Sequence, residues 1–356
     1  MKDAMERLLL DQAARYPRAE AQDFTKALYQ SIFGCGHFVA AGGDGLKRLI
    51  AEEEAFARAQ REGEPSFIEP LGPRFCRVHL AGLSESGLSA DTLFRLFALS
   101  SQMPGGDRAE MEDALDRLEQ LVSAGALSLD GEGAGRFLAE YREAGCPATH
   151  HTEAFRRAYF PAYRVIAAAY GRLIPLLSGI DGLLAKKAAV LVAVEGGSAS
   201  GKTSLAALLE KVYDLNVFHM DDFFLQEHQR TTERFAQPGG NVDRERFRAE
   251  VLDPLLRGEP FRYRKFDCAR MELGETVAVT PKRLNVVEGA YSMHPELADA
   301  YDLSAFLEIG AEEQAERILR RNGPEMRARF LAEWIPLEKL YFEKTGAAAR
   351  CTMRLP

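Results

Sequence analysis

The spacing of hydrophobic and polar positions along this chain changes once, near residue 186. Before that point, apolar residues recur three and four apart in "MERLLLDQAARY" (5–16), "AQDFTKALYQSIF" (21–33) and "DGLKRLIAEEEAFARAQ" (44–60). The same spacing runs through "ADTLFRLFALSSQM" (90–103), "DRAEMEDALDRLEQLVSAG" (107–125) and "HTEAFRRAYFPAYRVIAAAYGRLIPLL" (151–177). That period predicts amphipathic helices. Glycine or proline clusters at 34–36, 41–45 and 103–107 punctuate them. Within the last segment, "FRRAYFPAYRV" (155–165) reads as one core helix kinked at its proline.

After residue 186 short β-branched runs replace the long periodic ones: "AAVLVAVEGG" (188–197), "NVFHM" (216–220), "LNVVEG" (284–289), "LSAFLEI" (303–309) and "RCTMRL" (350–355). Continuous apolar runs of this length read as strands covered on both faces. Helical patterns lie between them, and this alternation predicts an α/β fold, a parallel sheet flanked by helices. With the boundary in "SGIDGLLAKK" (178–187), the expected organisation is a mostly α-helical domain over 1–182 and an α/β domain over 183–356.

Composition narrows the function classes. The chain has 356 residues, 46% hydrophobic and 28% charged, which suits a globular protein of two ordinary domains. A net charge of −8 disfavours a general nucleic-acid binder, which needs a basic face for phosphates. Five dispersed cysteines without a C-x-x-C pair fit reduced thiols, and no signal peptide or membrane-length apolar stretch is visible. The expectation is a cytoplasmic protein with no membrane and no nucleic-acid partner.

"GGSASGKTS" (196–204) matches G-x-x-x-x-G-K-[ST] through Gly196, Gly201, Lys202 and Thr203. Such a match arises by chance in roughly one chain in a hundred of this length. Here a strand pattern precedes it and the amphipathic "KTSLAALLEKVY" (202–213) follows. Glycines let the backbone curl so that N–H groups point inward, and the helix N-terminus adds partial positive charge. Gly196, Gly197, Ser198, Ala199, Ser200, Gly201, Lys202, Thr203 and Ser204 are therefore expected to cradle the phosphates of ATP. Lys202 would reach the outer phosphates and the Thr203 hydroxyl a Mg²⁺ ion.

A phosphate loop alone does not choose between kinase, GTPase and motor. No N-K-x-D or L-S-G-G-Q motif is present. Asp221 and Asp222 follow the second strand pattern and Glu288 ends the third, and strand C-termini face the ligand crevice in open α/β sheets. A carboxylate there can take the proton of an attacking hydroxyl or help hold Mg²⁺. The alternatives are a helix cap at 221–222 and a solvated strand-end acid at 288. Arg317, Arg320 and Arg321 share a helix face and could neutralise a transferring phosphoryl group, or pair on the surface with Glu313 and Glu316.

"VEGGSASGKTSLA", "MDDFF", "FDCAR", "NVVEGAY" and "ERILRR" occur in the order found in uridine kinase and its phosphoribulokinase and pantothenate kinase relatives. Residues 186–356, about half the chain, resemble that P-loop kinase family. The resemblance implies Asp221 as general base, Thr203, Glu288 and Asp221 as magnesium residues, and Arg317 and Arg320 as lid arginines. It also implies substrate contacts from Asp243, Phe266 and Asp267. Phe266 stands where nucleoside kinases have a base-stacking tyrosine, and Met271 about where they have a base-reading histidine, so the acceptor can differ from uridine.

The N-terminal half resembles segments that precede such kinase domains in some bacterial proteins. His37, His150 and His151 match no known metal-ligand spacing, and buried or capping histidines account for them. The overall expectation is an ATP- and Mg²⁺-dependent kinase acting on a small hydroxyl-bearing metabolite, a nucleoside first, with a homo-oligomer allowed. A sugar-like or pantothenate-like acceptor, a plain ATPase, and an ATP-binding regulatory switch are the alternatives.

Overall fold

The computed structural model describes residues 2–35, 43–58, 60, 62, 63 and 65–356. These fall into two compact units, Met1–Asp181 and Gly182–Pro356.

The first unit opens with helices α1 (Lys2–Arg15), α2 (Ala21–Phe33) and α3 (Gly43–Arg58). The apolar face of α2 buries Phe24, Ala27, Leu28 and Ile32, the three- and four-residue spacing that its sequence carries. Strands β1 (Ile68–Leu71) and β2 (Phe75–His79) follow, then helices α4 (Leu83–Ser86), α5 (Ala90–Ser101), α6 (Arg108–Ser123) and α7 (Gly131–Glu143). Helix α6 contributes Met111, Leu115 and Leu118 to the same core as α2.

The single helix expected across 155–165 does not form. Helix α8 (Glu153–Tyr159) stops at Phe160, whose φ of 43° is left-handed. Pro161 follows, and a residue before proline is driven out of the right-handed helical region. Beyond it Tyr163–Ala167 form strand β3, antiparallel to β2, in a sheet ordered β1-β2-β3. The segment resumes as helices α9 (Ala168–Gly171) and α10 (Ile174–Leu184). The helical pattern there is overridden by tertiary pairing: β2 is buried along its whole length and needs a neighbour on each side.

A polar network crosses this sheet. Arg77, fully buried, donates to Glu69 (2.7 Å), Gln12 (3.0 Å) and Gln30 (2.7 Å). Glu69 also accepts from the Tyr16 hydroxyl and faces His79 Nε2 at 2.7 Å. Burial alone would raise the Glu69 carboxyl, but Arg77 and His79 hold it far below the usual carboxylate range. His151 lies between Asp23 (2.8 Å) and the Tyr163 hydroxyl (2.7 Å), buried and stacked on Phe155. That is the buried-histidine expectation for position 151. Position 37 lies outside the described residues.

The second unit alternates as its sequence does. Its elements are β4 (Val190–Gly196), α11 (Lys202–Val212), β5 (Leu215–His219), α12 (Thr232–Phe235), α13 (Arg244–Phe247) and α14 (Asp253–Arg257). After these come β6 (Phe261–Asp267), β7 (Glu272–Val279), β8 (Leu284–Glu288) and β9 (Leu303–Leu307). Helices α15 (Ala311–Arg329), α16 (Ile335–Thr345) and α17 (Ala347–Arg350) precede β10 (Met353–Leu355). Five strands pair in the order β10-β9-β4-β8-β5, all parallel. Every residue of central β4 is buried, which is why it reads as an unbroken apolar run. The antiparallel hairpin β6–β7 stands outside this sheet and was not anticipated, because its strands are half exposed and carry mixed charge. Among the described residues no helix is long and apolar enough to cross a membrane.

Candidate active site

Parallel pairing sends the C-terminal ends of β4, β5 and β8 to one edge of the sheet. Val194 and His219 both register with Glu288, so three loops begin side by side. At that edge opens a cleft of about 770 Å³, within the usual size range of ligand sites.

The loop after β4 forms its floor. Gly196 has φ 150°, and a Cβ there would lie 2.7 Å from the Leu307 carbonyl, so only glycine lets the chain leave the strand at this point. Gly201, with φ 106°, starts α11. Between them Ala199 is also left-handed at φ 60°. The curl leaves Lys202 buried, its Nζ donating to the Gly197 carbonyl at 2.9 Å. Ser200 Oγ is buried without a partner among the described residues. Ser198, Ala199, Gly201, Lys202, Thr203 and Ser204 line the cleft, whereas Gly196, Gly197 and Ser200 shape the loop from behind.

The acids meet this loop. Thr203 Oγ1 donates to Glu288 Oε1 at 3.0 Å, and His219 Nδ1 lies 2.6 Å from the same oxygen. That contact with Glu288 raises the His219 pKa, against the opposing effect of burial. Asp221 is open to the cleft, yet its carboxyl sits among protein atoms that displace water and push its pKa up. Lys202 opposes that rise and Glu288 adds to it. Asp222 lies behind, its carboxyl raised by burial and hydrogen-bonded to Tyr263.

The other expected residues divide. Arg317 lines the cleft and donates to the carbonyls of Ala199 (3.2 Å) and Ser200 (3.3 Å), while pairing with Glu313. Arg320 does not reach it, and Arg321 and Arg329 line it instead. A one-residue step turns a helical side chain by about 100°, so Arg320 faces away. Phe266 is in the wall, but Asp267 is not: it accepts from the N–H groups of Ala269 and Arg270 and closes the hairpin turn. Asp243 is buried as the cap of α13, 3.4 Å from Arg246, and Asn241 from the same loop lines the cleft.

Two carboxylates escaped the sequence reading. Glu338 on α16 is buried in the cleft wall, where both its oxygens accept from the Ser198 N–H and one also from the Ser198 hydroxyl. Burial raises its pKa. Glu195, the residue before the loop, is wholly buried. His219 likewise carried no local signal beyond standing next to "MDD".

The second unit is thus a five-stranded parallel α/β fold with a glycine loop between its central strand and the next helix. No protein-family model matches the chain, and no curated protein sequence matches it. Solved structures resemble one half of it. A possible uridine kinase from Bacillus stearothermophilus is 19% identical, aligning 51% of this chain with 99% of that one at a TM-score of 0.38. A protein provisionally described as a fructose transport system kinase, from Silicibacter sp. TM1040, is 23% identical over 48% of this chain and 91% of that one, TM-score 0.38. TT1252 from Thermus thermophilus is 19% identical over 47% and 88%, TM-score 0.27. At such identities and scores these likenesses do not bear on activity.

Proposed function

We propose that the chain is an ATP- and Mg²⁺-dependent kinase that transfers a phosphoryl group to a hydroxyl of a small metabolite. The observation that supports this reading is the meeting of Lys202, Thr203, Asp221 and Glu288 in the wall of a single cleft. The residues suit the groups they would hold. The loop is curled where only glycine fits, its lysine rests on a backbone carbonyl from which phosphates would draw it, and a hydroxyl and two carboxylates stand together as hard oxygen donors for Mg²⁺. Mg²⁺ would supply charge neutralisation on the phosphates. Asp221 would accept the proton of the acceptor hydroxyl, and its raised pKa brings it closer to that task. Arg317 would steady the loop carbonyls while its guanidinium faces the transferring charge.

A nucleoside is the first acceptor to try, and sugar-like and pantothenate-like alcohols come next. Phe224, Phe266, Met271 and Tyr291 make the acceptor wall largely apolar or aromatic. The test is ATP consumption over a panel of nucleosides, sugars and vitamin precursors. A metabolite-dependent signal supports the kinase, and tight ATP binding with silence across the panel refutes it. Asp221→Asn should lower turnover by about 10²–10⁴-fold with little change in nucleotide affinity. Full activity in that variant would disqualify Asp221 as the base.

A further inference from the structure

We propose that Glu195 is a positioning residue, tying the phosphate loop to the strained turn that carries Tyr291 and so fixing the acceptor wall of the cleft; this rests on the kinase reading above only for the meaning of that wall. Four donors from three separate segments converge on its carboxylate. Oε1 accepts the N–H of Gly196 (2.9 Å) and of Tyr291 (3.1 Å). Oε2 accepts the N–H of Met293 (2.9 Å) and the O–H of Tyr341 on α16 (2.9 Å). The residue is 0% exposed and has no ion-pair partner within 4 Å among the described residues.

A carboxylate is the one side chain suited to this place. It has about four acceptor sites and, when ionised, no donor. Glutamine has the same shape but would turn an NH₂ group toward two donors. The turn needs holding because Tyr291 has φ 78°, a conformation that a bulky side chain adopts only when its surroundings impose it. Tyr291 lines the cleft, its hydroxyl is hydrogen-bonded to Asn241, and its ring meets that of Tyr341 edge-on at 4.9 Å. Losing the Glu195 bond would let the turn relax and the ring leave the wall.

The groups facing Glu195 are Lys202 on α11, Tyr341 on α16, Tyr291 on the turn, Tyr301 before β9 and Cys351 before β10. Lys202 is the cation among them, and Arg350 on α17 donates to the carbonyl of Met293 at 2.6 Å on the same turn. Burial pushes the Glu195 carboxyl up to about 7. A protonated carboxyl would place a new donor among four others, so the tie weakens as pH falls through 7. Stability from this group moves the opposite way. Its folded pKa lies above the ordinary 4.5, so its contribution is present at low pH and is lost as pH rises from 4.5 through 7. Positioning and stability therefore have opposite pH signs.

The test is amide hydrogen exchange on the full chain, corrected for intrinsic chemical rates, from pH 6 to 8, with and without Mg²⁺ and the non-hydrolysable analogue AMP-PNP. In the wild type, exchange over 289–293 should slow about tenfold from pH 6 to 8. In Glu195→Gln it should be at least tenfold faster at pH 8 and flat with pH, while 190–194 and 284–288 keep their protection. Tyr341→Phe, a milder change that deletes one donor, should move the pH midpoint upward. Equal loosening of both strands in Glu195→Gln, unchanged exchange over 289–293, or an unmoved midpoint in Tyr341→Phe would overturn the proposal. Failure of the wild type to bind AMP-PNP would instead refute the kinase reading, and the exchange result would still decide the role of Glu195.

Discussion

Each carboxylate of the second unit is governed by what surrounds it. Asp221 and Glu288 end adjacent parts of one sheet edge, yet Glu288 is engaged by Thr203 and His219 while Asp221 is open to the cleft. Asp243 and Asp267 were equally plausible from sequence, but the chain uses both to hold backbone N–H groups at a helix start and a turn. Short acidic side chains satisfy local donors readily, and that use competes with binding a ligand. In the first unit Arg77 and Glu69 form a buried ion pair at 2.7 Å. Arg77→Met should cost about 3–5 kcal/mol, because it strands an ionised Glu69 away from water. The thermal midpoint of the first unit measures this, with the midpoint of the second unit as the control.

At the scale of elements, the strand–loop–helix around Lys202 was legible because contiguous residues specify it. The same holds for α2, α5 and α6, whose apolar spacing matches the faces they bury. The periodicity of 151–177 fits a helix, while Pro161 and the open flank of β2 demand a strand at 163–167. Helix α8 depends on its start. Thr152 Oγ1 accepts from the Phe155 N–H at 3.2 Å and donates to Asp23 at 2.8 Å. Thr152→Ala should therefore cost about 2.5–4 kcal/mol, the loss of a cap plus one hydrogen bond to a charge. Urea titration checks it: a midpoint shift at unchanged slope is expected.

For the whole molecule, two units with separate cores should respond differently to ligand and to acid. Mg²⁺·ATP at a hundredfold excess over its Kd should stabilise the second unit by about 2.7 kcal/mol and leave the first where it was. Acid acts on the first through His151, which burial pushes down to about 4 from the ordinary 6.5. A depressed histidine is neutral in the fold and charged in the unfolded chain, so its contribution is complete above 6.5 and is lost as pH falls toward 4. At pH 5 the loss is on the order of 2 kcal/mol. In the second unit His294, also pushed down to about 4, acts in the same sense, but the raised Glu195 opposes it. Calorimetry at pH 7 and pH 5 should show the first unit losing more. A shared transition that moves as one with both ligand and acid would contradict this.

By itself the sequence determined the alternation of strands and helices after residue 186, the glycine loop between β4 and α11, and the two acids at strand ends. Each of these is written in neighbouring residues or in the regular geometry of a parallel sheet. Only the tertiary structure decided which arginines face the cleft, that Asn241 stands there in place of Asp243, and that Glu195, His219 and Glu338 belong to the site. The Glu195 bond to Tyr291 spans 96 residues, the His219 contact with Glu288 spans 69, and the Ser198–Glu338 bond spans 140. At those separations no local pattern records a partner, because the contact exists only once the sheet has brought its strand ends together.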